Sequence, residues 1–201
     1  MTANQAGLAG ERRRFIDRLL SPFTRLEPGE GANAALLTLS VFLLLTSYYV
    51  LKVVREPLIL AAGGATLKSY TSAAQAVLLL LLLPAYSTLA GRVNRTRLIA
   101  TVTLFFIGNL VIFYVLALSN APGLGIAFFI WVGIFNNAVI AQFWSYGNDL
   151  FSTETGERLF PVIGIGATLG SPLGSGLAER LFTMGVGAYT MLHITAVILL
   201  F

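Results

Sequence analysis

Six long apolar runs, separated by short polar stretches, dominate the chain. They cover residues 34–55, 70–91, 98–118, 123–145, 159–178 and 185–201. About 20 apolar residues are needed to cross a hydrocarbon core about 30 Å thick, and each run approaches that length. Such runs must be helical, because lipid offers no partner for unpaired backbone groups. The pattern predicts an all-α, polytopic membrane bundle of six transmembrane helices over residues 33–201.

The breaks between the runs carry turn chemistry. "SNAPGLG" separates the third run from the fourth, and "NDLFSTETGER" (148–158) separates the fourth from the fifth. The second break is predicted to be a loop that contains Asn148, Asp149 and Arg158. The sixth run ends without a polar cap. We therefore expect either the first half of a longer transporter or a truncated reading frame.

Basic residues fall mainly on one side of the predicted bundle. Five arginines lie in the tail, residues 1–32, three lie in the loop 91–97, and Arg158 lies in a later loop on the same side. The opposite side has only Lys68 and Arg180. Cytoplasmic loops carry an excess of lysine and arginine. This asymmetry predicts a cytoplasmic N-terminus. As a separate expectation, the protein lies in a bacterial inner membrane.

The tail carries its own pattern. "RRRFIDRLLSPF" (12–23) repeats apolar residues at helical spacing between arginines. This predicts a basic amphipathic helix that lies on the cytoplasmic leaflet. The alternative is a disordered positive tail that only sets the topology.

Composition supports the membrane assignment and narrows the function. The chain of 201 residues is 56% hydrophobic and 11% charged, whereas soluble domains carry about 25% charged residues. The net charge of +4 lies beside apolar runs, so it indicates topology and not a nucleic-acid partner. There is no cysteine, and no hydrolase, P-loop or metalloprotease motif. We therefore expect neither an enzyme nor a metal or cofactor site.

Charged residues follow one another at the end of the first run. Tyr48, Lys52 and Arg55 are spaced i, i+4, i+7 and share one helix face, and Glu56 follows. A lysine or arginine at the centre of a membrane helix costs about 3 kcal/mol, so a buried pair needs an anion. Glu56 can neutralise only one of the two cations. Either these residues bind an anionic ligand, or they snorkel to water as interfacial anchors.

The fourth run contains uncharged polar residues. "GIFNNAVIAQFW" (133–144) places Asn136, Asn137 and Gln142 within an apolar helix. Buried amides need hydrogen-bond partners. They either orient a ligand or bond to neighbouring helices, as polar residues commonly do in membrane bundles.

The fifth run carries a stripe of small residues. Gly166, Gly170 and Gly174 lie four apart, and such spacing lets helix backbones approach closely. Pro172 loosens the helix between them. The stripe is predicted to be either a static packing face or a face that rocks during transport.

Two segments resemble one family. "YYVLKVVREPLILAAGGATLKSY" (48–70) and "FWSYGNDLFSTETGERLFPVIGIGATLGSPLGSG" (143–176) are similar to segments of the ATP:ADP antiporter family, the nucleotide exchangers of intracellular bacteria and plastids. The family pattern is a basic residue, two apolar residues and a basic–acidic pair, which Lys52, Arg55 and Glu56 match. The second segment matches at Phe143, Trp144, Asn148, Arg158, Phe160 and the glycine-rich stretch 164–176. The resemblance covers about residues 33 to 180.

This resemblance implies the N-terminal half of a major-facilitator-like transporter that works with a second six-helix half. Spans one and four would line its central cavity. Lys52 and Arg55 would bind phosphate oxygens of a nucleotide or another phosphorylated anion, and the fourth-span amides would orient the sugar or base. The family has an acidic residue in the fourth span, but none lies between residues 118 and 146 here. Transport of another organic anion therefore stays open, as does a non-transporting membrane module that anchors or assembles partners.

Overall fold

The computed structural model describes Thr24, Glu27, residues 30–91 and residues 94–200. This part of the chain is helical apart from short turns, and it contains no strand. The amphipathic helix predicted for residues 12–23 lies outside the described residues.

Five helices follow one another in the described part. They are α1 (Glu30–Ala90), α2 (Arg95–Leu118), α3 (Leu124–Leu150), α4 (Thr153–Thr183) and α5 (Met191–Ile198). The first four are long and apolar enough to cross a membrane. The prediction of an all-α membrane protein is confirmed at that level. α5 has only 8 residues, about 12 Å of helix, so it is shorter than the span predicted over 185–201.

α1 consists of two arms joined at a break. Its 61 residues would extend about 90 Å as a straight helix, about three times the hydrocarbon thickness. Gly63 and Gly64 have non-helical backbone angles, and Gly64 has a φ of 69°. That left-handed conformation favours glycine, which has no Cβ to clash. We call residues 30–62 the first arm and residues 65–90 the second arm. The connection is therefore much shorter than the loop expected between residues 55 and 70.

The first arm and α4 run parallel in very close contact. Three α4 glycines meet three backbone carbonyl groups of the first arm, in the pairs Gly166–Thr38, Gly170–Phe42 and Gly174–Thr46. The two residue numbers differ by 128 in every pair, so both helices advance in the same direction. Only glycine fits this contact, because a Cβ on Gly170 would lie 2.6 Å from the carbonyl oxygen of Phe42. The small-residue stripe thus lies in a helix–helix contact, while Pro172 is exposed.

α3 runs antiparallel to the first arm. Gly125 at the start of α3 lies against the Leu58 carbonyl, and Phe129 lies one turn further along α3 against Arg55. Along this contact, the residue numbers increase on α3 and decrease on the first arm, so the two helices are antiparallel. Between these helices lies the larger apolar cluster, which α2 and α5 complete; it includes Val50, Leu51, Val54, Leu110, Phe128, Val132, Phe135, Met191 and Leu192.

The outer helices carry both buried aromatic rings and exposed apolar side chains. Trp131 of α3 makes edge-to-face contacts with Phe106 and Phe113 of α2, with ring centres 5.6 and 5.3 Å apart. Elsewhere on α2 and on the second arm, large apolar side chains are exposed, for example Leu80 and Leu118. Such a surface is suited to contact with lipid chains.

We predict that the glycine contact can be disrupted by one methyl group. Gly170→Ala places its Cβ against Phe42 and should destabilise the protein by about 1–3 kcal/mol, the usual cost of overpacking. Gly176→Ala is the matched control, since its Cβ would meet nothing within 4 Å in the same helix. Thermal unfolding in detergent, followed by tryptophan fluorescence, measures both variants. Equal midpoints would contradict the packing described here.

Candidate anion-binding site

Arg55 points into the protein from the last turns of the first arm. Its side chain is only 13% exposed. The guanidinium carbon lies 4.4 Å from the ring centre of Phe129 on α3, within the range of a cation–π contact. An interfacial anchor would expose its charge to water. Arg55 is instead held between two helices.

Glu56 lies between two cations. Its Oε1 is 3.7 Å from Nε of Arg55, and its Oε2 is 2.5 Å from Nζ of Lys68. From the sequence, Lys68 is only a charge on the outer side of the membrane. The break at Gly63 and Gly64, roughly midway between Glu56 and Lys68, brings it back to the first arm. In the sequence, this glycine pair was the signal that could have predicted the contact between Lys68 and Glu56.

Arg55 is incompletely paired. Among the described residues, its Nε is buried and has no hydrogen-bond partner. Buried polar atoms are normally hydrogen-bonded, and leaving a buried charge without full compensation is costly. The arginine therefore has unused capacity to bind an anion.

Lys52 lies on the other flank of the same helix. Its Nζ is 5.0 Å from the ring centre of Tyr49, and Tyr49 packs against Gly174 of α4. Tyr48 contacts Tyr49 edge to face, with ring centres 5.2 Å apart. Lys52 and Tyr48 are half-buried. Arg55 thus faces α3, whereas Lys52 lies towards α4. We call Lys52, Arg55, Glu56 and Lys68 together the cation cluster.

The cation cluster lies at one end of the bundle. The parallel register with α4 places Arg55 level with Thr183, the last residue of α4. Arg55 is also 25 residues beyond Glu30, about 38 Å along the helix axis. This distance exceeds the hydrocarbon thickness of about 30 Å. The cluster therefore lies at the end of a membrane-length segment and not at its centre. The anchor interpretation expects that position, but it does not expect the burial of Arg55.

Asn136 lies on the α3 side of the first arm, deeper than Arg55. Arg55 contacts Phe129, and the two helices are antiparallel. Seven residues further along α3, Asn136 is therefore level with the residue seven positions before Arg55, which is Tyr48. That level is about 10 Å from Arg55 along the axis. In the described structure, the Oδ1 of Asn136 and the Oγ of Ser47 are both buried without a hydrogen-bond partner.

The other two amides of α3 lie apart from the cation cluster. Asn137 donates a hydrogen bond to the Gly133 carbonyl at 2.9 Å, and it lines an apolar cavity of about 420 Å³ between the second arm, α2 and α3. Gln142 is buried and lies thirteen residues beyond Phe129, about 20 Å along the axis. The structure brings neither residue to Arg55.

A second charged group closes the opposite end of the bundle. Arg158 makes a two-pronged contact with Glu30, with Nη2–Oε1 at 3.1 Å and Nη1–Oε2 at 3.3 Å. Its Nη2 also lies 3.6 Å from Glu27 Oε1, and its backbone carbonyl accepts a hydrogen bond from Thr24. Thr155 donates to Glu30 at 3.5 Å. This network joins the start of the first arm to the start of α4.

The predicted loop 148–158 is largely helical. Asn148 and Asp149 lie in the last turn of α3, and Arg158 lies in α4, which begins at Thr153. Ser152 caps α4, because its hydroxyl accepts a hydrogen bond from the Thr155 backbone. The loop prediction is therefore corrected: the polar residues of this stretch cap and start helices. Asn148 lines a cavity of about 460 Å³ beside this cap.

No grouping of His, Asp or Glu within the described ranges could hold a metal ion. Comparisons of the chain with protein-family models, curated protein sequences and solved structures gave no match.

We predict that Arg158 and Glu30 stabilise the bundle as a pair. A double-mutant cycle with Arg158→Gln and Glu30→Gln should give a coupling energy of about 1–2 kcal/mol, because the contact is two-pronged and half-buried. Reversible unfolding in mixed detergent micelles measures it. Arg97→Gln, an exposed arginine at the start of α2, is the control for loss of charge. Strictly additive effects would mean that the pair contributes nothing.

Proposed function

We propose that this chain is the N-terminal six-helix half of a secondary transporter for phosphorylated anions, of the nucleotide-exchanger type. The resemblance in residues 48–70 and 143–176 supports the nucleotide class, and the four membrane-length helices support a membrane carrier. The two arms of α1, α2, α3, α4 and a sixth span that includes α5 would make six crossings. A second six-helix half would complete the cavity.

The observation that carries the proposal is the unbalanced charge around Arg55. Arg55 and Lys68 face one carboxylate, that of Glu56. Lys52 lies nearby on the other flank of the first arm, so the cation cluster holds two surplus positive charges. Arg55 is nearly buried, and its Nε has no hydrogen-bond partner among the residues that the structure describes. A phosphate group supplies both negative charge and several acceptor oxygens.

The geometry suggests distinct roles for the cations. The planar guanidinium of Arg55 can hold two phosphate oxygens at once, whereas Lys52 acts as a point charge on its flexible stem. Asn136, about 10 Å deeper along the axis, would contact a more distant part of the substrate. The binding residues would release the substrate to either side as the two halves rock, with no covalent step.

The first arm and α4 would move as one unit during this rocking. Their backbones touch at Gly166, Gly170 and Gly174, and the Arg158–Glu30 pair fixes their starts. Close-packed contacts of this kind shift as a whole and do not deform continuously. A gating motion would then fall at the other contacts of the first arm, including the one with α3.

Two alternatives remain distinct. A transporter of another organic anion is favoured by the lack of an acidic residue in α3 before residue 146. A non-transporting assembly module would use the glycine stripe to bind a partner. That stripe is already occupied by the first arm, which argues against the module.

We expect Arg55→Gln to reduce uptake of labelled ATP or ADP by the full-length protein in liposomes at least about tenfold. A hydrogen bond to a charged group contributes about 1.5–3 kcal/mol, which is the source of this magnitude. Arg97→Gln removes the same charge from an exposed position and should leave uptake near the parent level. Added salt should weaken uptake by the parent protein, because the cluster is close to solvent.

Lys52→Gln completes the test. We expect a smaller loss than for Arg55→Gln, since Lys52 is a single point charge, whereas the guanidinium of Arg55 can hold two phosphate oxygens. Undiminished uptake in both variants would overturn the anion-binding role of the cluster.

A further inference from the structure

The contact between Glu56 and Lys68 joins the two arms of α1. The residues are 12 positions apart, and a continuous helix would separate them by about 18 Å. Their side chains meet because the chain bends at Gly63 and Gly64, where Gly64 adopts φ 69°. The ion pair therefore depends on the bend and reports on the relative position of the two arms.

Glu56 serves the two cations unequally. Its carboxylate is at hydrogen-bond distance from Lys68, but its nearest approach to Nε of Arg55 is 3.7 Å. Hydrogen bonds of this type require about 2.7–3.2 Å. In this arrangement the carboxylate forms a hydrogen bond with Lys68 but not with Arg55. Among the described residues, Nε of Arg55 therefore remains without a hydrogen-bond partner.

The ion pair is accessible from outside. Glu56 and Lys68 side chains are 32% and 39% exposed, whereas Arg55 is 13% exposed. Exposed ion pairs contribute little to stability. An incoming anion can therefore replace the carboxylate at little energetic cost, provided that it satisfies the cations better.

We propose that Arg55 and Lys68 together bind one phosphate group, and that Glu56 is a resident counter-anion which this group displaces. The proposal rests on the proposed function for its ligand class and adds Lys68 as a substrate-binding residue. A phosphate group carries about 1.5–2 negative charges at neutral pH and three acceptor oxygens, so it can pair both cations where one carboxylate does not. Because Arg55 lies on the first arm and Lys68 on the second, the phosphate group replaces the carboxylate as the bridge between the two arms.

The cation cluster lies at the end of the bundle, where both dissolved molecules and lipid headgroups can reach it. The phosphate group therefore has two potential sources. It belongs either to a free phosphorylated solute or to the headgroup of an anionic lipid. Both present the same oxygens to Arg55 and Lys68. The experiment must therefore measure both.

In the first assay, labelled ATP and inorganic phosphate are titrated into the full chain in phosphatidylcholine nanodiscs. The second assay measures retention of phosphatidic acid by native mass spectrometry. Glu56→Gln should tighten binding of the phosphate ligand at least threefold, because the competing anion is gone. Lys68→Gln should weaken it at least fivefold.

The opposite signs are the critical readout. Both substitutions break the same ion pair, so a purely structural role would move binding in the same direction for both variants. Their thermal midpoints should shift alike, which separates folding from binding. Glu179→Gln and Arg180→Gln are matched controls, as neighbouring exposed residues near the same end of α4. Each should change binding less than twofold.

The remaining outcomes are also decisive. If Arg55→Gln abolishes ATP binding while Lys68→Gln and Glu56→Gln do not alter it, the displacement proposal is overturned and the proposed function stands. If only phosphatidic acid binds, with the expected opposite signs, the phosphate site stands and the transport proposal falls. If neither ligand binds, both are overturned.

Discussion

The close backbone contact between α4 and the first arm of α1 is the constraint on which the rest of this structure depends. Three glycines at four-residue spacing admit three backbone carbonyls at the same spacing, so the two helices are held parallel in a single register. Within lipid there is little hydrophobic force between helices, and close van der Waals approach is what selects their partners. The register then sets where every charged residue of the first arm lies relative to α4.

In that register, the charged residues of the first arm lie at the two ends of its contact with α4, and the length between them is uncharged. Glu30 meets Arg158 at one end, and Arg55 with Lys52 lies about 38 Å away at the other. A separation close to the bilayer thickness avoids the cost of a charge at the centre of the membrane. The two ends differ in their balance of positive and negative charge. Carboxylates compensate Arg158, whereas the opposite cluster has more cations than anions.

This difference links the structure to the proposed function. The Arg158 network joins two helices that already touch, and so it reinforces a fixed unit. The Glu56–Lys68 pair spans a bend between two arms of one helix, and it is accessible to solvent. A bound anion would compete with the second pair but not with the first. This asymmetry of charge supports the proposed anion carrier. The resemblance to nucleotide exchangers also supports the proposal, but it rests partly on the same residues, Lys52, Arg55 and Glu56.

Sequence alone determined the membrane class and most helix positions, because hydrophobic length and helical periodicity are local properties. Spacing also identified the glycine stripe of α4, but not its partner. Only the tertiary structure decided that the first arm covers this stripe, that Arg55 is buried against Phe129, and that Asn137 and Gln142 lie away from it. It also recruited Lys68, through a left-handed glycine that reverses the direction of the chain. Such contacts depend on helix register and backbone bends, which join residues distant in the chain and leave no periodic signal.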